Sequence, residues 1–155
     1  MLASININIF IIVLPCCVSG FLNPGCIADE VQGQMNYSVK NILVEPFFHH
    51  RIQMNITGCN TTRLITYMEH ACDTRKDLFN NFSQTYFPGV GYYVSAHNGV
   101  SEIAGERYWE LIEHSTGKQY EVGSNLYIPQ DGDHVAWNLT ELDLSKYITT
   151  EKPDA

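Results

Sequence analysis

The polar and apolar positions of this chain change period several times between residues 37 and 142. Over residues 51–57, Ile52, Met54 and Ile56 fall on one side, and Gln53 and Asn55 on the other. Alternation with a period of two marks a half-buried strand, and Gly58 closes it. Residues 37–44, with Val39, Ile42, Leu43 and Val44, also suit a strand, which Pro46 ends or turns into an edge. The period then lengthens. Leu64, Ile65, Met68, Ala71 and Cys72 recur at the spacing of one helical face, and Asn60, Thr61 and Thr62 offer N-cap side chains ahead of it. Phe79, Phe82, Tyr86 and Phe87 follow as an aromatic tail expected to pack on a sheet, with a turn at 88–91. Short strands are predicted at 92–97, 108–112, 120–122 and 135–139. Asn98-Gly99, residues 115–117 and Asp131-Gly132 are turn signals between them. Two strands, a helix and a series of short strands predict an α+β fold: a single small domain, mostly antiparallel sheet with one packed helix.

The ends follow other rules. Residues 2–18 are strongly apolar and uncharged, and Val18-Ser19-Gly20 supplies small residues after them. That is the outline of a secretory signal peptide over 1–20, and the run is short of the ~20 apolar residues a membrane span needs. Residues 21–36 read as a leader with Pro24, Gly25 and Gly33, residues 37–142 as the domain, and 143–155 as a flexible polar tail. The expected location is extracellular, with no membrane contact after signal cleavage. Formal net charge is −8, the wrong sign for binding nucleic acid or an anionic membrane surface.

Five N-x-[ST] sequons, at Asn36, Asn55, Asn60, Asn81 and Asn138, agree with a secreted glycoprotein. Cys16 and Cys17 leave with the signal peptide, and Cys26, Cys59 and Cys72 remain as disulfide candidates. Cys59 with Cys72 is one pairing, although a straight helix between them would hold them apart. Cys26 with either of them, or with another chain, is the alternative.

Little in the chain suggests catalysis. His49 and His50 are adjacent, so a strand points them to opposite faces, and His70, His97, His114 and His134 have no ligand spacing. Asp131-Gly132-Asp133 lacks the further ligands of a calcium loop and reads as a turn whose Asp side chains bond local amides. Glu102, Glu106, Glu110 and Glu113 surround Trp109, but such carboxylates occur in any acidic protein. Neither a nucleophile triad nor G-x-S-x-G is present. Tyr92, Tyr93, Tyr108, Trp109, Tyr120, Tyr127 and Trp137 instead suggest an amphipathic ligand surface, with about half of them as ordinary core and Trp137 among the core.

The order of several motifs narrows this reading. Gly91-Tyr92-Tyr93-Val94-Ser95-Ala96-His97 is followed by Gly105-Glu106-Arg107-Tyr108-Trp109-Glu110-Leu111, then by Val122-Gly123-Ser124, and then by Tyr127-Ile128-Pro129-Gln130-Asp131-Gly132-Asp133. Across residues 39–142 the chain resembles the C-terminal β domain of the transcobalamin and intrinsic-factor family of cobalamin carriers, with the second motif one residue tighter. The resemblance implies a β-grasp-like fold and a corrinoid ligand held between this domain and a helical α domain. By position it assigns Val94, Ser95, Trp109, Leu111, Val122 and Gly123 to the ligand face. The chain has no room for the α domain, so half of the implied ligand cage is missing.

The resulting expectation is a secreted, non-catalytic module without a covalent cofactor. It would bind cobalamin or a related small molecule, with a separate α-domain-like partner or receptor. The alternative is a secreted protein-interaction module that kept the fold and lost the ligand.

Overall fold

The computed structural model describes residues 30–58 and 61–143. The elements run β1 (Gly33–Asn41), β2 (Phe48–Ile56), α1 (Leu64–Thr74), β3 (Phe82–Phe87), β4 (Gly91–His97), β5 (Val100–Ser101), β6 (Arg107–Glu113) and β7 (His134–Glu141). They form a four-stranded sheet in the order β2-β1-β7-β6 and a three-stranded sheet in the order β3-β4-β5. All pairings are antiparallel except that of β1 with β7, which places the first and last strands side by side at the centre of the larger sheet. The domain is α+β, as its periodicity predicts.

β1 begins earlier and ends earlier than its apolar residues suggest. Residues 33–36, expected in the leader, pair with β2 from Gly33↔Ile56 onward. The Gln34 amide donates to Asp131 Oδ1 at 2.8 Å, so a carboxylate 97 residues away secures the start of the strand. Asp131 is therefore not a purely local turn residue, whereas Asp133 does accept the nearby Gln130 amide. At the other end, the expected run to Val44 stops at Asn41. The Asn41 side chain is buried; its Nδ2 donates to the carbonyls of Val44 and Pro46, and its Oδ1 accepts from the amides of Leu43 and Val44. These bonds turn the chain before a longer ladder can form.

Met35, Tyr37, Val39, Met54, Ile56, Val135, Trp137 and Leu139 fill one face of the large sheet. Leu64, Tyr67, Met68 and Ala71 of α1 join the same core, together with Val94 and Val100 from the smaller sheet. The helix lacks the side-chain N-cap expected from residues 60–62: Arg63 occupies the N-cap position and makes no side-chain cap bond. A lost cap costs about 1 kcal/mol. Burying each large apolar side chain contributes roughly 1.5–3 kcal/mol, so packing decides that the helix forms.

Two short segments differ from expectation. The aromatic tail contains strand β3, paired with β4 from Phe82↔His97 to Phe87↔Gly91. Its alternation is weak because Tyr86 and Phe87 at its end are both exposed. Residues 120–122 form no strand; the segment makes only an isolated bridge, Ile112↔Gln119, with the Tyr120 amide donating to the Leu111 carbonyl. Asn98 and Gly99 both have positive φ (49° and 80°), the geometry of the two-residue turn that joins β4 to β5.

Candidate ligand site

β6 and β7 run antiparallel with Leu111 opposite Trp137 and Trp109 opposite Leu139. Residues 108–111 of β6, Trp137 of β7, the tyrosines at the start of β4 and the loop before Ser124 line an open cavity of about 190 Å³. Trp109, Leu111, Val122 and Gly123 line it. Val94 and Ser95 do not: Val94 is fully buried in the core, and the β3–β4 register passes from Val94 to Ala96 and leaves Ser95 as a bulge. Of the seven aromatic residues expected on a ligand surface, only Tyr127 does not line the cavity, and its ring packs on Tyr120 at 4.5 Å. Trp109 and Trp137 are buried, so they serve both core and cavity. Glu110, Glu121, Val90 and Gln119 complete the lining. Neither of the last two carries a local signal, because only the docking of the loop on β4 brings them there.

The loop is held by backbone contacts. The Leu64 and Ile65 amides at the start of α1 donate to the carbonyls of Tyr127 (2.9 Å) and Ser124 (3.1 Å), and the Arg63 guanidinium donates to the Leu126 carbonyl (2.9 Å). Helix N-terminal amides have no partner within the helix, and here the loop supplies one. The Gly123 amide donates to the Val90 carbonyl (3.0 Å), and the Tyr92 amide to Asn125 Oδ1 (2.7 Å). A Cβ at Gly123 would lie 2.5 Å from the Tyr92 carbonyl oxygen and 2.8 Å from its nitrogen. Glycine is required there for close approach of two backbones.

Trp109 Nε1–H donates to the Val100 carbonyl at 3.0 Å, and its ring meets His97 edge-on at 4.8 Å. Burial pushes His97 down to about 3, so this imidazole is neutral at physiological pH. Burial, followed by a hydrogen bond to Glu102, raises the Tyr93 hydroxyl well above its usual range. Burial likewise raises Tyr120 and, reinforced by Asp133, Tyr127. These three tyrosines therefore stay protonated, and the cavity combines apolar surface and neutral hydroxyl groups with the carboxylates of Glu110 and Glu121 at its lining. Of the carboxylates around Trp109, Glu113 is bonded by Ser115 and Thr116, and Glu110 accepts from Thr140.

A larger cavity of about 480 Å³ lies between β2 and α1, lined by Ile52, Met54, Thr66, Tyr67 and His70 among others. It borders an edge strand and lacks the convergence of rings and fixed loop. The smaller cavity is therefore the better ligand site on chemical grounds.

The sequon residues Asn36, Asn55 and Asn138 lie on β1, β2 and β7, where the registers place them on the sheet face opposite the helix. Asn81 precedes β3, and Asn60 is outside the described residues. Cys26, Cys59 and the signal and tail segments also lie outside them. Cys72 is half-buried, is bonded to no described residue, and has its thiol raised by burial. Among the described residues, no group of three or more His, Cys, Asp or Glu is arranged to hold a metal, and no helix is long and apolar enough to cross a membrane.

No protein-family model matches the chain, and no curated protein matches it in sequence. Solved structures do match its fold. Haptocorrin in complex with Cbi aligns over 72% of this chain with a TM-score of 0.53 and 21% identity. In fold, the chain resembles the C-terminal β domain of the cobalamin carriers. The match spans 26% of haptocorrin, about a quarter of its length. A putative metal binding protein from Ruminococcus gnavus aligns over 72% of this chain and 100% of its own, with a TM-score of 0.53 and 12% identity. At these identities the likeness is one of fold. Within this β-domain fold, the aromatic cavity and its glycine loop occupy the side of β6 that faces the smaller sheet.

Proposed function

We propose that this chain is a secreted, glycosylated, non-catalytic module that binds cobalamin or a related corrinoid at the aromatic cavity, with an α-type partner supplying the opposite wall. The convergence of Trp109, Leu111, Val122 and Gly123, from three separate segments, on one cavity carries the reading. The shared fold with a haptocorrin solved in complex with Cbi supports it. The cavity also argues for the partner. At about 190 Å³ it is smaller than the ~300–1,000 Å³ of pockets that enclose a small molecule. Planar rings and neutral donors suit one face of a flat, amide-rimmed ligand.

Calorimetric titration of the purified protein with cyanocobalamin and hydroxocobalamin tests this, with absorbance recorded in parallel. Heat and a spectral shift in wild type, both lost in Gly123→Val, are expected. No heat and no shift at high micromolar ligand would remove autonomous binding. A second reading, a protein-interaction module that no longer takes a corrinoid, is favoured by exposed Tyr86, Phe87 and Val90 at the β3–β4 turn beside the cavity. Recovery of one dominant partner from the source fluid, with failed titrations, would select it.

A further inference from the structure

We propose that the face of the four-stranded sheet opposite the helix carries a second site, for a small doubly charged oxyanion such as sulfate, built from Lys40, His49, Arg51, His114 and His134 around Ser38. The registers set this arrangement. Arg51 pairs with Ser38, His49 with Lys40, Ser38 with Ala136, and Asn36 with His134. Alternation along each strand then puts Lys40, Ser38, His49, Arg51 and His134 on one face. His114 follows β6, and its amide donates to the His134 carbonyl. The His114 and His134 ring centroids are 4.0 Å apart, and those of His49 and His114 are 6.1 Å apart. The small residues Ser38 and Ala136 pair between these longer side chains and are fully buried.

Two observations point to a ligand there. Ser38 Oγ and His134 Nε2 are both buried without a hydrogen-bond partner. Buried polar atoms are nearly always paired, and an unpaired one calls for a water or ion. The charge around them selects the ion. Arg51 and Lys40 beside the rings repel a cation, and no metal-holding group is arranged among the described residues. The chain has only nine Lys and Arg against seventeen Asp and Glu, yet this face gathers two of its cations with three histidines. The neighbouring carboxylates are engaged: Glu113 accepts from the Ser115 and Thr116 amides, and Glu110 accepts from Thr140. Asn36 Oδ1 accepts from Arg51 Nε at 3.3 Å and orients the guanidinium. A glycan on Asn36 would join Nδ2 and leave that acceptor intact.

The site is pH-dependent by construction. Burial, together with the neighbouring cations Lys40, Arg51 and the other rings, lowers His49 and His134, and only Glu113 opposes this at His134. An anion reverses the balance, so binding takes up protons and strengthens as pH falls. Sulfate keeps its charge across this range and is the clean probe.

Titration of the whole protein with sodium sulfate, at constant ionic strength in chloride, is read at pH 7.5 and 5.5. Affinity is expected to rise by about tenfold or more at the lower pH, since each proton taken up contributes up to about tenfold per pH unit. Arg51→Gln should weaken binding at both values, and His134→Gln should flatten the pH dependence. Lys76→Gln, beyond α1, should behave as wild type. His49 and Arg51 are exposed, so His49→Gln provides a second variant expected to fold should His134→Gln not. Absence of binding, equal affinity at both pH values, or equal affinity in Arg51→Gln and wild type would overturn the proposal.

Discussion

Gly123 shows how much one position can decide. Its φ is ordinary, and the constraint is distance: any Cβ meets the Tyr92 backbone within 3 Å. Gly123→Ala is therefore expected to destabilise the domain by about 1–3 kcal/mol, the usual cost of overpacking, measurable by urea unfolding. A neutral result would mean that loop and strand separate freely. His97 makes a second residue-scale case. Its folded value lies near 3, below the unfolded value of about 6.5. The unfolded chain thus takes up a proton first as pH falls. Stability from the neutral ring is fully present above about pH 6.5 and is lost as pH drops from there toward 3. The slope for one proton is at most about 1.4 kcal/mol per pH unit. His97→Phe should show a shallower loss of urea stability between pH 6.5 and 4.5, and parallel curves would contradict the assignment.

At the scale of elements, α1 stabilises the domain with one face and positions the site with one end. Its first amides and Arg63 hold the carbonyls of Ser124, Tyr127 and Leu126. Arg63 is exposed and its bond is single, so Arg63→Ala should cost global stability only about 0.5–1.5 kcal/mol. Its clearer effect should be local. Amide exchange at Gly123 and Leu126 is expected to accelerate more than exchange in β1, and uniform acceleration would mean that the loop opens only with the whole fold. The β4 bulge at Ser95 similarly separates a motif from its expected role, because an extra residue takes that side chain out of the strand's alternation.

Over the whole molecule, the two faces of the large sheet divide the work. The helix side leads to the aromatic cavity, while Asn36, Asn55 and Asn138 project from the other side. On the proposed function, enzymatic removal of N-glycans from protein expressed through a secretory pathway should lower its mass and leave corrinoid titrations unchanged. A large change in affinity on deglycosylation would place the ligand on the glycan face instead. On the proposed function the small cavity is one wall of the site, so adding a helical carrier domain in trans should tighten corrinoid binding well beyond either part alone.

The elements with strong periodicity were legible from the chain alone: the alternating β2, the helical stripe of α1, the Asn98-Gly99 turn and the α+β class. Local pattern suffices there because one buried face sets each period. Four of the six residues assigned by resemblance line the cavity, because the loop before Ser124 docks on β4 beside β6. The remainder depended on contacts between distant residues. The start of β1 rests on Asp131, its end on the buried bonds of Asn41, and β3 on pairing that its own alternation does not announce. The histidines had no spacing in the chain, yet strand registers and the end of β6 bring three of them together. Sequence determined which segments bury a face; tertiary structure decided which segments meet, because register and loop docking are set by partners far along the chain.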